Sequence, residues 1–314
     1  MQYYFAPLEG LTDSIFRQLH CRYFGGVDRY YTPFFSPTVH RALTPREDRE
    51  LPMTDSVHVT VIPQLLTKVP EDFVWMAQQC LDRGYTEVNL NLGCPSGTVT
   101  AKGKGAGMLS DTDDLKQFLD DVFAKTPLPI SVKTRLGVTD PEEFYLLLDI
   151  YNQYPICELT VHPRVRKEFY DCPVHMELFD YALQHSKIPL CYNGNLCSRQ
   201  QIDQLQLQYP QLEAVMIGRG LIGDPGMLLP EGTCVKTLEA FHNALLDEYT
   251  EAFHSSRNAM FRMKENWRYL LCRFENDEKL KKRLRKTTDL SEFKAITTQI
   301  FHSVPIKQEL SPDW

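Results

Sequence analysis

The most constraining feature of this chain is a series of short, β-rich apolar runs that alternate with helix-length segments. Eight such runs occur, at residues 3–6, 29–34, 58–64, 86–91, 129–134, 157–162, 189–193 and 214–218. Most are followed by amphipathic segments, which cover residues 71–83, 114–124, 141–154, 174–186 and 198–209. Strands that alternate with helices form parallel sheets, and eight repeats close a barrel. We therefore predict an α/β chain that contains a parallel (β/α)8 TIM barrel.

Two regions depart from this alternation. Pro37, Pro45 and Pro52 interrupt the second repeat, which predicts a long loop with a short helix there. After residue 226 the β signals stop, and residues 238–253, 258–275 and 290–303 have helical periodicity. We predict a catalytic barrel over residues 1–238, followed by a small C-terminal helical domain over residues 239–314.

Charge is distributed unevenly along the chain. The net charge is −7, yet residues 255–286 contain eleven Lys or Arg against four acids, so that stretch carries +7 and the rest −14. A local basic face of this kind binds anions even on an acidic protein. The nine cysteines form no Cys-x-x-Cys pair, which predicts reduced thiols and no metal site. We find no apolar run of membrane-spanning length and no secretory signal, so we expect a cytoplasmic protein that is not attached to a membrane. We also predict a monomer.

Polar residues follow the predicted strands, where barrel enzymes place their reactive groups. They are Glu9, Gln64, Asn91, Cys94, Lys133, Arg135, His162, Arg164, Asn193, Asn195 and Arg219. Gly194 and Gly218 follow the last two strands, the usual phosphate-binding position of such barrels. These residues indicate an active site with a phosphorylated cofactor.

Two of these residues carry distinct chemistry. Cys94 follows the fourth strand in the motif Asn91-Leu92-Gly93-Cys94-Pro95, which points a thiol at the cavity. Lys133 is compatible with a Schiff base to a carbonyl substrate or with a cation that stabilises a reduced flavin. The glycines of residues 103–107 match no nucleotide-binding spacing, so we predict a flexible loop over the site.

The ordered motifs of this chain resemble those of the tRNA-dihydrouridine synthase family. The matching segments are 6–10, 91–95, 131–137, 161–162, 193–194 and 216–220. The resemblance covers nearly the whole chain and implies an FMN enzyme that reduces uridine in tRNA to 5,6-dihydrouridine. In that chemistry NADPH or NADH reduces FMN, a hydride passes to C6 of uracil, and a cysteine protonates C5.

The resemblance assigns roles to individual residues. Cys94 is the proton donor, and we expect surroundings that do not stabilise its thiolate. The implied FMN contacts are Pro7, Leu8, Glu9, Gln64, Lys133, His162, Asn193, Gly194, Asn195, Gly218 and Arg219. The implied RNA contacts are Asn91, Arg164, Arg166, Arg262 and Lys264. The chain departs from the family pattern at Leu8, where methionine is usual, and at Pro163, where glycine is usual, so any contact from that N–H is in doubt.

Four other functions remain open at this stage. They are reduction of ribosomal RNA, a flavin barrel for small molecules, an aldolase-like Schiff base at Lys133, and a non-catalytic RNA-binding barrel. A base must leave its stack to reach a barrel mouth, so we expect a single-stranded or loop uridine as target.

Overall fold

The structure is a computed structural model that describes residues 1–38, 40–54, 59–307 and 310. Its described part contains nine strands in one parallel sheet, in the order β3-β2-β1-β9-β8-β7-β6-β5-β4. The strands are β1 (Gln2–Phe5), β2 (Arg29–Tyr31), β3 (Val61–Ile62), β4 (Gln64–Leu65), β5 (Val88–Leu92), β6 (Ile130–Arg135), β7 (Leu159–His162), β8 (Leu190–Tyr192) and β9 (Ala214–Ile217). The predicted (β/α)8 barrel is confirmed.

The nine strands occupy eight positions because Pro63 divides one of them. β3 pairs with β2 and β4 pairs with β5, and both lie in the predicted third run. Proline has no N–H to donate to a ladder, but the Pro63 carbonyl still accepts from the Asn89 N–H at 2.8 Å. This run therefore links the two ends of the sheet. His58, which begins the predicted run, lies outside the described residues.

The helices of the described part follow the predicted segments closely. They are α1 (Ser14–Tyr23), α2 (Pro45–Glu50), α3 (Pro70–Asp82), α4 (Gly97–Thr100), α5 (Thr112–Lys125), α6 (Glu143–Tyr151), α7 (Met176–His185), α8 (Arg199–Gln208), α9 (Arg219–Gly223), α10 (Val235–Phe253), α11 (Ser256–Leu270), α12 (Glu278–Lys286) and α13 (Leu290–Ser303). Short 3₁₀ turns cover Gly105–Ser110, Arg166–Glu168 and Leu271–Arg273. The short helix expected in the second repeat is α2, which a capping box between Thr44 and Glu47 begins.

Contacts divide the chain into two compact units. The barrel unit comprises Met1–Pro7, Asp28–Gly194 and Tyr209–Met216, and the helical unit comprises Leu8–Val27, Asn195–Gln208 and Ile217–Trp314. The helical unit thus takes in α1, α8 and α9 as well as the C-terminal helices, whereas the sequence suggested one cut at residue 239. Within this unit α10 packs against both α11 and α1.

The interior of the barrel unit combines apolar and polar layers. One buried cluster consists of Tyr4, Ala6, Tyr31, Ile62, Cys191, Ala214 and Met216. Side chains alternate along a strand, so Ser131, Lys133 and Arg135 share one face of β6. In register, Asn89 lies beside Ser131 and Asn91 beside Lys133. The fold therefore gathers polar side chains from neighbouring strands into adjacent positions.

Candidate active site

A chain of amide hydrogen bonds crosses three strands of the barrel unit. Gln64 Nε2 donates to Asn89 Oδ1 at 2.8 Å, and Asn89 Nδ2 donates to Ser131 Oγ at 3.0 Å. Asn91 Nδ2 donates to Gln64 Oε1 at 2.7 Å. All four side chains are buried. Each amide is held by its neighbours, so the predicted FMN contact Gln64 has a fixed orientation and keeps one donor and one acceptor position for a ligand.

Asn91 also shapes the turn that carries Cys94. Its Oδ1 accepts from the backbone N–H of Gly93 at 3.0 Å and from that of Cys94 at 2.9 Å. The Cys94 side chain is half-buried, and all nine cysteines are free thiols. Asn91 was predicted to contact RNA, and the structure shows its amide engaged by the protein on both sides. Its observed role is to position Cys94.

Lys133 places a half-buried ammonium next to this turn. Among the described residues, its Nζ has no hydrogen-bond or ion-pair partner. The pKa of Lys133 is lowered to about 8, chiefly by burial and also by the Arg135 charge, while Cys191 and Cys94 oppose the shift. A buried cation without a counter-charge is stabilised by an anionic or electron-rich ligand. The predicted contact to the electron-rich edge of a flavin fits this setting.

Arg135, one of the polar residues predicted to follow the strands but given no individual role, organises the same region. Its Nε donates to the Gly93 carbonyl at 3.0 Å, its Nη1 to the Val165 carbonyl at 3.0 Å and its Nη2 to the Phe169 carbonyl at 2.8 Å. The side chain is 1% exposed. One guanidinium therefore joins the Cys94 turn to the loop after β7. The sequence signals for Arg135 are its place at the end of a predicted strand and its spacing of two residues from Lys133.

Two positively charged side chains, Lys133 and Arg135, interact with Cys94. Electrostatic interaction with Cys94 raises the pKa of both Lys133 and Arg135, so both cations lie within range of the sulfur. Nearby positive charge favours a thiolate. The expectation of surroundings that do not stabilise the thiolate stays a prediction. An acid whose conjugate base is stabilised gives up its proton more readily, which is compatible with proton donation.

His162 and Arg164 form a buried pair at the end of β7. Arg164 Nη1 lies 2.9 Å from His162 Nε2, and Arg164 Nε donates to the Cys172 carbonyl. A guanidinium only donates, so Nε2 is the acceptor and the imidazole proton is on Nδ1. Arg164 is 1% exposed, which does not fit its predicted contact to RNA phosphates. It orients His162 instead. Between them, the Pro163 carbonyl accepts a hydrogen bond from the His175 N–H at 2.8 Å.

The glycine-rich segment 103–107 is a packed turn rather than the flexible loop predicted. Residues 105–109 are buried, and the Ala106 N–H donates to the Cys94 carbonyl at 3.1 Å. Gly105 has φ +57°, and a Cβ there would lie 3.1 Å from Cys94 Cβ. Glycine is therefore required by the close approach of this turn to Cys94.

The predicted phosphate-binding residues divide between the two units. Pro7, Asn193 and Gly194 belong to the barrel unit, where Asn193 Nδ2 donates to the Met216 carbonyl at 2.7 Å. The helical unit holds Leu8, Glu9, Asn195, Gly218 and Arg219. In that unit Arg219 Nη2 lies 3.3 Å from Asn195 Oδ1, so these two side chains do come together.

The remaining predicted RNA contacts have different surroundings. Arg166 is half-buried in a 3₁₀ turn of the barrel unit, and Arg262 lies over the Phe253 ring in the helical unit. Lys264 Nζ donates to the carbonyls of Arg285 and Thr287, at 2.7 and 2.9 Å. Lys264 therefore caps the C-terminal end of α12, where a cation offsets the helix dipole.

Two features are absent from the residues that the structure describes. Among these residues, no group of three or more His, Cys, Asp or Glu side chains is arranged to hold a metal ion. None of the helices combines the length and the apolar character needed to cross a membrane.

Comparison with solved structures supports the barrel architecture. Histamine dehydrogenase from Rhizobium aligns with a TM-score of 0.54 at 13% identity, over 72% of this chain and 45% of that one. An old yellow enzyme homologue from Zymomonas mobilis aligns with a TM-score of 0.51 at 14% identity, over 71% of this chain and 86% of that one. At such low identity these similarities establish the fold alone.

Sequence comparison is more specific. A Staphylococcus epidermidis protein named as a probable tRNA-dihydrouridine synthase is 31% identical over 234 residues, which cover 70% of this chain and 68% of that protein. A Staphylococcus aureus protein of the same name is 30% identical over 264 residues, which cover 78% and 77%. The profile of the family described as Dihydrouridine synthase (Dus) matches residues 4–311. With the motif order and the barrel, this match shows that the chain belongs to the dihydrouridine synthase family.

Proposed function

We propose that this enzyme reduces specific uridines in tRNA to 5,6-dihydrouridine, with FMN as its flavin and NAD(P)H as the reductant. The relatives named above are tRNA-dihydrouridine synthases, which supports the substrate class. The observation that carries the proposal is the arrangement of Cys94, Asn91 and Lys133. The thiol lies in the turn after β5, the ammonium lies on the neighbouring strand β6, and Asn91, in register with Lys133, fixes the thiol's turn.

The residues present fit FMN. When bound, FMN supplies the hydride that adds to C6 of uracil. Lys133 would contact the electron-rich edge of the ring, and Gln64 would use its remaining amide positions on the pyrimidine edge. His162, with its proton on Nδ1, is held by Arg164 and would join the flavin contacts. In the barrel unit Pro7 would line the ring, and Asn193 and Gly194 would hold the phosphate. The assignments of Leu8, Glu9, Asn195, Gly218 and Arg219, which belong to the helical unit, stay predictions.

Cys94 would complete the reduction of the C5=C6 bond. Its S–H bond breaks as a C–H bond forms at C5, and the resulting thiolate is stabilised by the charges of Lys133 and Arg135. Because Cys94 is only half-buried, a proton from solvent can restore the thiol. Asn91 and Arg135 keep the turn in place through Gly93 and the Cys94 N–H.

RNA contacts are proposed for the accessible cations. Arg166 and Arg262 remain candidates for phosphate contacts, whereas Arg164, Asn91 and Lys264 act within the protein in this structure. A single-stranded or loop uridine is the expected target, because its base can leave the stack at low cost. The cytoplasmic location and the monomeric state stay predictions.

The test is a comparison of substrates. Purified protein with FMN and NADPH would be incubated with unmodified tRNA, unmodified ribosomal RNA or a small enone, and dihydrouridine would be measured by mass spectrometry of digested RNA. We expect turnover with tRNA. Turnover with the enone only, or no dihydrouridine in tRNA, would contradict the proposal.

A further inference from the structure

The barrel unit contains a concentration of positive charge outside the residues discussed so far. Four side chains form it, and we refer to them as the basic cluster: Arg41, Lys68, Lys102 and Lys104. Lys102 and Lys104 lie on the segment between α4 and the 3₁₀ turn, Lys68 precedes α3, and Arg41 precedes α2. All four belong to the same compact unit.

Several distances show that these side chains are close in space. Lys68 Nζ lies 3.4 Å from the position that a Cβ on Gly103 would occupy, between Lys102 and Lys104. Arg41 Nε lies 3.1 Å from Asp72 Oδ1. Arg41, Asp72 and Lys104 line one cavity of about 520 Å³.

The charges in this cavity are not balanced by the protein. Lys104 Nζ donates to the neutral Ser36 Oγ at 2.8 Å. Burial lowers the pKa of Lys104, the positive charges of Lys102 and Lys68 lower it further, and Asp72 opposes this shift. Of the described residues that line the cavity, Arg41 pairs with the Asp72 carboxylate, whereas Lys104 has only the neutral Ser36 as a partner. Lys68 and Lys102 add positive charge beside Lys104, so the site carries a net positive charge that favours an anion.

The basic cluster is physically connected to Cys94. Lys102 and Lys104 immediately precede the turn of residues 105–109, which packs on the Cys94 backbone through the Ala106 N–H. A polyanion that places one nucleotide against Cys94 would extend its backbone past the same turn. RNA carries a phosphate at every nucleotide, and flexible lysines are suited to such contacts.

We propose that the basic cluster binds an RNA phosphate next to the target uridine, and this inference rests on the proposed function. The site is distinct from the basic segment of residues 278–286 in the helical unit. It would set the register of the RNA on the barrel, so that one nucleotide is presented to Cys94.

The test removes charge from the cluster without touching the turn itself. Lys102→Gln and Lys104→Gln, singly and together, keep a polar side chain, and glutamine at residue 104 keeps a donor for Ser36. Lys125→Gln is the matched control, because Lys125 lies on α5 of the same unit and pairs with Asp121 at 2.7 Å. Binding of unmodified tRNA to the FMN-loaded protein would be measured as a function of salt concentration.

We expect each cluster variant to reduce the slope of log affinity against log salt by about 1, and the double variant to bind about tenfold more weakly near physiological salt. The value of kcat/KM for tRNA should fall with affinity. Lys125→Gln should match wild type. An unchanged flavin absorption spectrum and thermal midpoint would show that the variants are folded.

Two outcomes would overturn the inference. The first is a double variant with wild-type affinity and wild-type salt slope. The second is a raised KM for NADPH with unchanged tRNA binding, which would assign the site to the phosphates of the nicotinamide cofactor. Binding of tRNA is measured without turnover, so the two proposals can fail separately. If the protein binds tRNA through these lysines but forms no dihydrouridine, the phosphate site stands and the proposed function is wrong.

Discussion

Asn89 in the barrel unit and Asn266 in the helical unit are both buried asparagines, with 0% and 5% of their surface exposed. Asn89 donates to Ser131 and accepts from Gln64. Among the described residues, neither Oδ1 nor Nδ2 of Asn266 has a hydrogen-bond partner. The same is true of His242 Nε2 and Trp267 Nε1 in the same unit.

This difference separates the two asparagines rather than the two whole units, because Thr126 Oγ1 in the barrel unit also lacks a partner among the described residues. A buried amide without a partner costs about 1–3 kcal/mol, whereas a bonded network fixes each member in one orientation. In the helical unit His242 stays neutral, because burial lowers its pKa to about 4, and it packs against the rings of Trp267, Phe293 and Phe301. The barrel unit uses the hydrogen bonds of Gln64 and Asn91 to position the turn that carries Cys94.

The largest expected effect concerns Cys94. Cys94→Ala should lower dihydrouridine formation by about 10²–10⁴-fold, because it removes the proposed proton donor. Flavin absorption and tRNA affinity should be unchanged. Cys172→Ala is the matched control, since Cys172 is another half-buried thiol of the barrel unit and should keep full activity. Equal rates for the Cys94 variant and wild type would refute the acid role.

A smaller effect is expected when the three-way link of Arg135 is broken. Arg135→Lys keeps the charge but cannot reach the Gly93, Val165 and Phe169 carbonyls together. We expect kcat to fall by about 10–100-fold, because the Cys94 turn loses its orientation, with less effect on tRNA affinity. Arg83→Lys, on the surface of the same unit, serves as the control. A loss confined to tRNA affinity would contradict the positioning role.

The stability of the two units offers a direct comparison of the two asparagines. Asn89→Leu should lower the free energy of unfolding by about 1–3 kcal/mol, because Gln64 and Ser131 each lose a partner. Asn266→Leu has nearly the same shape change and should be neutral or stabilising by about 1 kcal/mol. Chemical denaturation of both variants measures this. Similar losses in both would show that the helical unit also depends on its buried amide.

The strand pattern was largely predictable from sequence, because each apolar run is a local signal. The regular alternation of these runs with helical segments then implies parallel pairing. The strand predicted over residues 214–218 is β9 (Ala214–Ile217), and the helix predicted over residues 290–303 has the same bounds as α13 (Leu290–Ser303). Helix α12 was seen only as a basic run. Its strongly charged face hides the small apolar stripe of Leu280 and Leu284, which are buried.

The site was predictable as a set of residue types, but not as a set of contacts. Cys94, Lys133 and Gln64 follow their strands as expected. Three features depend on loops that are distant in sequence. They are the burial of Arg164, the hydrogen bonds of Arg135 and the packing of residues 103–107. Arg135, for example, bonds to carbonyls in two different loops, and no periodicity encodes which ones.

The most direct test of this account is the binding of FMN to the flavin-free protein at different pH values. Lysine loses its proton as pH rises through its pKa, which lies at about 8 for Lys133. We therefore predict FMN binding that weakens by about tenfold between pH 7 and pH 9 in wild type. In Lys133→Met it should be weaker at pH 7 and nearly independent of pH. A wild-type protein without affinity for FMN, or a Met variant with wild-type affinity and pH profile, would contradict the central claim that Lys133 holds the flavin at the strand ends of the barrel.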